Sequence, residues 1–217
     1  MKSYVIFDLD GTLLNTIEDL GHAVNYALRS TGHPEHSIPA YQAMVGNGVR
    51  RLIERALPPE ARSTPEVDRI LGFFREYYDE HCCDFTKPYP GIPELLADLT
   101  ARGLNLAVTS NKYQAAVTKI INHYFPDAAW RAVLGNVDGV PRKPDPSIVF
   151  AALNACPTPK AQVLYVGDSG VDMETARRAC VESVGVTWGF RPPSELRNAY
   201  ADHVITDPDE IVTIILE

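Results

Sequence analysis

Tyr4-Val5-Ile6-Phe7-Asp8-Leu9-Asp10-Gly11-Thr12 runs four apolar residues straight into two acids and a glycine. An apolar run that short, without alternation, marks a strand buried on both faces, as in a parallel sheet. Leu104 to Thr109 and Val163 to Val166 have the same character, and each also breaks at once into polar or glycine residues. Glu182 to Thr187 and His203 to Ile205 are weaker strands of the series. Between them lie helical patterns: Ile92 to Ala101 with Leu95, Leu96 and Leu99 on one face, Gln114 to Tyr124, Ser147 to Asn154, and Asp207 to Ile215 with Asp207 as its cap. Strand and helix alternate, which predicts an α/β fold built on a doubly wound, mostly parallel sheet.

Residues 16–84 break the alternation. They show helical periodicity over Ile17 to Leu28, over Val49 to Leu57 after Gly46-Asn47-Gly48, and over Val67 to Tyr78 after Pro65, with no convincing strand. The expected organisation is an α/β core of residues 1–15 and 85–217 with an inserted helical domain at 16–84. Pro88, Pro90 and Gly91 mark the return to the core.

Composition narrows the function. The 217 residues are 45% hydrophobic and 22% charged, with a net charge of -8 and no basic tract, which argues against a nucleic-acid partner. The four cysteines fit neither a disulfide framework nor zinc-ligand spacing. No stretch approaches membrane-spanning length, and the apolar run at the N-terminus is too short for a signal peptide. A soluble cytoplasmic protein, monomer or homodimer, is expected.

In an open α/β sheet, ligands bind beyond the carboxyl ends of the strands. Those ends carry Asp8 and Asp10, then Ser110-Asn111-Lys112, then Gly167-Asp168-Ser169-Gly170-Val171-Asp172, and Lys143 lies in the loop Pro141-Arg142-Lys143-Pro144-Asp145-Pro146. Crowded carboxylates raise one another's pKa unless a cation sits among them. All-oxygen ligation selects a hard cation, and a site that also receives phosphate oxygens suits Mg²⁺.

A carboxylate such as Asp8 can attack phosphorus and divide one hard displacement into two. Asp10, two residues on along an extended chain, points to the same side and can protonate the leaving oxygen, then activate water. Gly11 permits a tight turn after the pair. Ser110, Asn111 and Lys143 are the candidate phosphate-binding groups. Asp168 and Asp172 share a helix face, one able to bind metal and the other to orient its surroundings. The histidines read as surface or capping residues, and Trp188 and Phe190 as packing.

These residues resemble the haloacid dehalogenase-like hydrolase superfamily. Its four motifs are matched in order by Asp8-Leu9-Asp10-Gly11-Thr12-Leu13, Ser110, Lys143, and Gly167-Asp168-Ser169 with Asp172. The resemblance implies a Rossmann-like core, Asp8 as nucleophile, Asp10 as acid and base, and Asp8, Asp168 and the backbone carbonyl of Asp10 as magnesium ligands. It also implies that the inserted helices are a cap that closes over substrate.

Within the superfamily the chain is most similar to the phosphoglycolate phosphatase group. This rests on Val45-Gly46-Asn47-Gly48 with the helix Arg50 to Leu57, on Tyr89-Pro90-Gly91-Ile92, Lys143-Pro144-Asp145-Pro146 and Trp188-Gly189-Phe190. The implied substrate is a small phosphorylated metabolite, 2-phosphoglycolate first, with Gly46, Asn47, Gly48 and Arg50 as specificity residues. Arg50 is expected to meet a substrate carboxylate. Asn15 departs from the group, many of whose members carry Asp there, but it can still cap a helix. A sugar-phosphate mutase of the β-phosphoglucomutase kind and a non-enzymatic phospho-acceptor module are the rival readings.

Overall fold

The computed structural model describes all 217 residues, in two compact units: Met1–Leu14 with Pro88–Glu217, and Asn15–Lys87. The strands are β1 (Tyr4–Phe7), β2 (Leu14–Asn15), β3 (Lys87–Pro88), β4 (Asn105–Tyr113), β5 (Trp130–Asn136), β6 (Val163–Gly167), β7 (Glu182–Val186) and β8 (His203–Ile205). In the larger unit six of them form one sheet in the order β5-β4-β1-β6-β7-β8, with every pairing parallel. β2 and β3 pair with each other in a separate two-stranded sheet.

β1 is the hub. Phe7 is level with Val108 on one side and Val166 on the other, so the chain leaves β1, β4 and β6 at one rim. The chain builds outward from β1 in both directions, which puts the topological switch point, and its crevice, at the carboxyl end of β1. All four β1 residues are fully buried, as strands covered on both faces require. One face packs Tyr4, Ile6, Ala107 and Tyr165 against Val149, Ala152, Ala176 and Ala179. Those last four lie on α6 (Ser147–Ala155) and α7 (Gly170–Ala179), the helices that cover that face.

The remaining helices of this unit are α4 (Ile92–Ala101), α5 (Gln114–Tyr124), α8 (Pro193–Asn198) and α9 (Glu210–Leu216). α4 starts where Gly91 takes φ 81°, a left-handed turn that a side chain resists, with Pro93 in the first turn.

The smaller unit is helical: α1 (Ile17–Ser30), α2 (Val49–Ala56) and α3 (Thr64–His81), with short 3₁₀ turns at Ile38–Ala43 and Pro59–Ala61. Leu20, Val24, Ala27 and Leu28 of α1 and Val67, Ile70, Phe74 and Tyr78 of α3 are buried, each set at helical spacing. Tyr26 stacks on Tyr77 with ring centroids 4.8 Å apart. Asp19 binds the returning chain through the backbone N–H groups of Phe85 and Thr86 and the Thr86 hydroxyl.

The structure departs from expectation at several places. Trp130–Asn136 forms an edge strand that the sequence pattern did not announce, because only Ala132 and Gly135 along it are buried. β4 continues through Ser110, Asn111 and Lys112 to Tyr113, so these residues sit in a strand extension, not in a loop. α3 begins at Thr64, with Pro65 inside its first turn where its missing N–H costs nothing. α9 begins at Glu210, and Asp207 instead accepts the Asp209 N–H at 2.9 Å in the preceding turn. No helix is long and apolar enough to cross a membrane.

Ile6 is wholly buried at the centre of the sheet, so Ile6→Ala removes packing that no neighbour can replace. Urea unfolding is expected to show a loss of about 2–5 kcal/mol; a loss below about 1 kcal/mol would contradict this placement of the core.

Candidate active site

The strands that flank the switch point deliver acids to one place. Asp8 follows β1, Asp168 follows β6, and Asp172 sits on the first turn of α7. All three are buried, and each offers an oxygen within 4.8 Å of the others. Lys143 joins them: its ammonium donates to Asp8 Oδ1 at 2.7 Å, to Asp172 Oδ1 at 2.7 Å and to the Thr109 carbonyl at 3.1 Å.

Local chemistry fixes each group. Ser169 caps α7 in a reciprocal capping box, its side chain accepting the Asp172 N–H while Asp172 Oδ2 accepts the Ser169 N–H at 3.2 Å. Asp172 is thus held by protein groups on both oxygens, and it in turn holds Lys143. Asp168 Oδ2 accepts the Phe190 N–H at 2.7 Å. Gly11, at φ 86°, and Gly189 form a cradle round the Asp168 carboxylate, because a Cβ at either position would run into it. Trp188 Nε1 donates to the Thr12 carbonyl at 3.0 Å, tying the Trp188-Gly189-Phe190 segment to the loop after β1.

The electrostatics follow from burial. Desolvation, with Asp172 adding to it, pushes the Asp8 carboxyl up to about 7 even though Lys143 opposes the shift. Burial and then Asp172 and Asp8 raise Asp168 well above the ordinary carboxylate range. Burial disfavours the Lys143 charge, but Asp172 and Asp8 outweigh it and hold the ammonium well above its usual value. One ammonium does not balance three carboxylates.

A divalent cation fits this donor set. Its ligands would be all oxygen, it would supply the missing positive charge, and the glycine cradle leaves the Asp168 carboxylate close to the backbone of the loop after β1. The Thr12 hydroxyl in that loop is buried and has no hydrogen-bond partner, so the loop retains unspent polar capacity.

The other candidates divide into two sets. Ser110 and Asn111 stand at the end of β4, beside Thr109 whose carbonyl touches Lys143. Asn111 spends both ends of its amide on the Lys143 backbone: Oδ1 accepts the Lys143 N–H at 2.9 Å and Nδ2 donates to the Lys143 carbonyl at 3.2 Å. Its side chain therefore places the Lys143 loop. Ser110 Oγ accepts the Lys112 N–H at 3.1 Å.

Gly46, Asn47, Gly48 and Arg50 belong to the helical unit. Gly46 and Gly48 both take positive φ, Asn47 Oδ1 accepts from Arg55 Nη2 at 2.6 Å, and Arg50 pairs with Asp68. Asn15 Oδ1 accepts the Ile17 N–H at 3.3 Å in a turn one residue before the α1 N-cap, which is Thr16 and not Asn15.

Two residues that the sequence motifs contain were given no role of their own. Tyr89 has its phenol raised by burial and then by the Asp168 and Asp10 carboxylates. Lys112 pairs with Asp10, Nζ to Oδ1 3.0 Å. The only available signal for Lys112 was its place two residues after Ser110.

The cradle generates a prediction. Gly189→Ala should raise the divalent-cation concentration for half-maximal turnover about 10- to 100-fold, while circular dichroism stays as in the parent. A metal titration of p-nitrophenyl phosphate hydrolysis measures it, and an unchanged midpoint would show that Asp168 is not held this way.

Comparisons with known proteins agree with the geometry. The family model for haloacid dehalogenase-like hydrolases matches residues 5–186. The phosphoglycolate phosphatase of Vibrio cholerae is 32% identical over 228 aligned positions covering 100% of this chain and 99% of that protein. That of Pseudomonas syringae pv. tomato is 33% identical over 204 residues, 90% of this chain and 74% of its own. A solved structure from Lactobacillus delbrueckii subsp. bulgaricus superposes with a TM-score of 0.92 at 33% identity, covering 99% of both chains. Motifs, fold and relatives converge: this chain belongs to the haloacid dehalogenase-like hydrolase family.

Proposed function

We propose that the chain is a Mg²⁺-dependent phosphatase that works through an aspartyl-phosphate on small phosphorylated metabolites, with 2-phosphoglycolate as its preferred substrate. The observation that carries this reading is Asp8. Its carboxylate stands at the tip of the central strand, held by Lys143 and grouped with two further buried acids. The enzyme class, a phosphoric monoester hydrolase, follows the relatives, which are named phosphoglycolate phosphatases at about a third identity over most of their length.

In the mechanism, an Asp8 oxygen bonds to phosphorus as the ester oxygen departs, and Asp10 gives that oxygen its proton. Asp10 then takes a proton from water, whose oxygen attacks phosphorus. Inorganic phosphate leaves and the Asp8 carboxylate is restored. Lys143 orients Asp8 and, with Ser110, offers donors to the transferring oxygens. Asp172 keeps Lys143 charged and in place.

Asp8, Asp168 and, on the family resemblance, the Asp10 carbonyl would hold Mg²⁺, which would offset the carboxylate charge and polarise the phosphoryl group. Residues 16–84 as a substrate-selecting cap, with Gly46, Asn47, Gly48 and Arg50 as its specificity residues, belong to the same proposal. So does a cytoplasmic location, supported by four free cysteines.

With Mg²⁺ present, a screen of phosphorylated acids, sugars and nucleotides should find 2-phosphoglycolate among the better substrates, and EDTA should abolish its turnover. Asp8→Asn should lower kcat at least about 10³-fold, since no other carboxylate can take the phosphoryl group. Retained turnover in that variant would reject Asp8 as nucleophile, and metal-independent hydrolysis would reject the role of magnesium.

A further inference from the structure

Lys112 has no part in the mechanism above, yet it carries one of the few buried charges of the site. Its side chain is only 5% exposed, and its ammonium lies 3.0 Å from Oδ1 of Asp10, itself 19% exposed. A lysine charge taken out of water is costly unless an anion meets it, so its placement here calls for a reason beyond packing.

The position relative to Asp10 supplies the reason. To protonate the leaving oxygen, Asp10 must come within roughly 2.6–3.2 Å of it. In a phosphorylated 2-hydroxy acid, two covalent bonds of about 1.5 Å each separate that oxygen from the carboxyl carbon. The substrate carboxylate therefore travels with the ester oxygen to the neighbourhood of Asp10. A cation one hydrogen bond beyond Asp10 is in reach of it. Lys143 is committed to other tasks: it holds Asp8 and Asp172 and is assigned above to the transferring phosphoryl oxygens. Lys112 has three rotatable donors, enough to touch Asp10 and a second carboxylate together.

We propose that Lys112 is the binding group for the leaving-group carboxylate, selecting phosphate esters whose carboxylate is on the carbon that bears the ester oxygen. The inference rests on the substrate reading above and adds the residue that enforces it. Asp10 is shared between the two tasks: it serves the ester oxygen while Lys112 holds the neighbouring carboxylate, which fixes the leaving group during proton transfer.

The experiment compares kcat/KM for 2-phosphoglycolate with that for ethyl phosphate, which replaces the carboxylate by a methyl group, in the parent enzyme, Lys112→Met and Lys112→Arg. The parent should prefer 2-phosphoglycolate. In Lys112→Met the ratio of the two kcat/KM values should fall roughly 10- to 100-fold, carried mainly by KM for 2-phosphoglycolate, as loss of a charged hydrogen bond predicts. Lys112→Arg, which keeps the charge and tolerates the same burial, should recover part of the ratio.

If both substrates lose equally while p-nitrophenyl phosphate, whose leaving group needs no proton, is spared, Lys112 only orients Asp10 and the proposal fails. An unchanged ratio also overturns it. A parent enzyme with no preference for 2-phosphoglycolate over ethyl phosphate would instead reject the substrate assignment itself.

Discussion

Three buried carboxylates crowded together, two of them bonded to the Lys143 ammonium, form the constraint on which the rest of this unit depends. Like charges this close repel, and burial removes the water that would screen them. Asp8 and Asp168 respond by moving up from the usual carboxylate range, and Lys143 by moving up from the usual lysine range. Such a cluster persists only where rigid surroundings over-determine each position and a further cation can share the charge. The parallel sheet supplies that rigidity. β1 is level with β4 and β6 on either side, so the residues that follow them emerge at one rim without any long side chain having to reach.

The contacts behind the acids explain why small and polar residues occur where they do. Gly11 and Gly189 are small because the Asp168 carboxylate occupies the space their Cβ atoms would need. Ser169 and Asp172 cap α7 reciprocally, which fixes the same Asp172 that binds Lys143. Asn111 clamps the Lys143 backbone from a strand 32 residues away in sequence. Each device converts a local sequence preference into a position for a charged group. Electrostatic catalysis needs that preorganisation, since groups already in place require no reorganisation at the moment of reaction.

Much of the fold was legible along the chain. β1, α4, α5 and β8 have the bounds that periodicity assigned, because fully buried strands and amphipathic helices leave regular apolar patterns. β5 escaped notice because an edge strand is half solvated, and its Trp-Arg-Ala-Val-Leu-Gly-Asn sequence mixes both faces. The convergence of Asp8, Lys143, Asp168 and Asp172 could be read from their places at strand ends and a helix start. The bond partners of Asn111 and Lys112 could not. Both are polar residues after a catalytic-looking serine, and only the register of β4 against its neighbours and the course of the Lys143 loop decide which group each one meets.

Residue order alone was enough to foresee a buried parallel sheet, acids and a lysine near its carboxyl rim, and a helical segment interrupting the core. These follow from local apolar patterning and from residue type, which act over a few positions. Tertiary structure alone decided the pairings: Lys143 between Asp8 and Asp172, Asn111 on the Lys143 backbone, Lys112 on Asp10. Those contacts join residues brought together only by strand register and crossover connections, and hydrogen bonds are too short-ranged and directional to be inferred from residue type before that geometry exists.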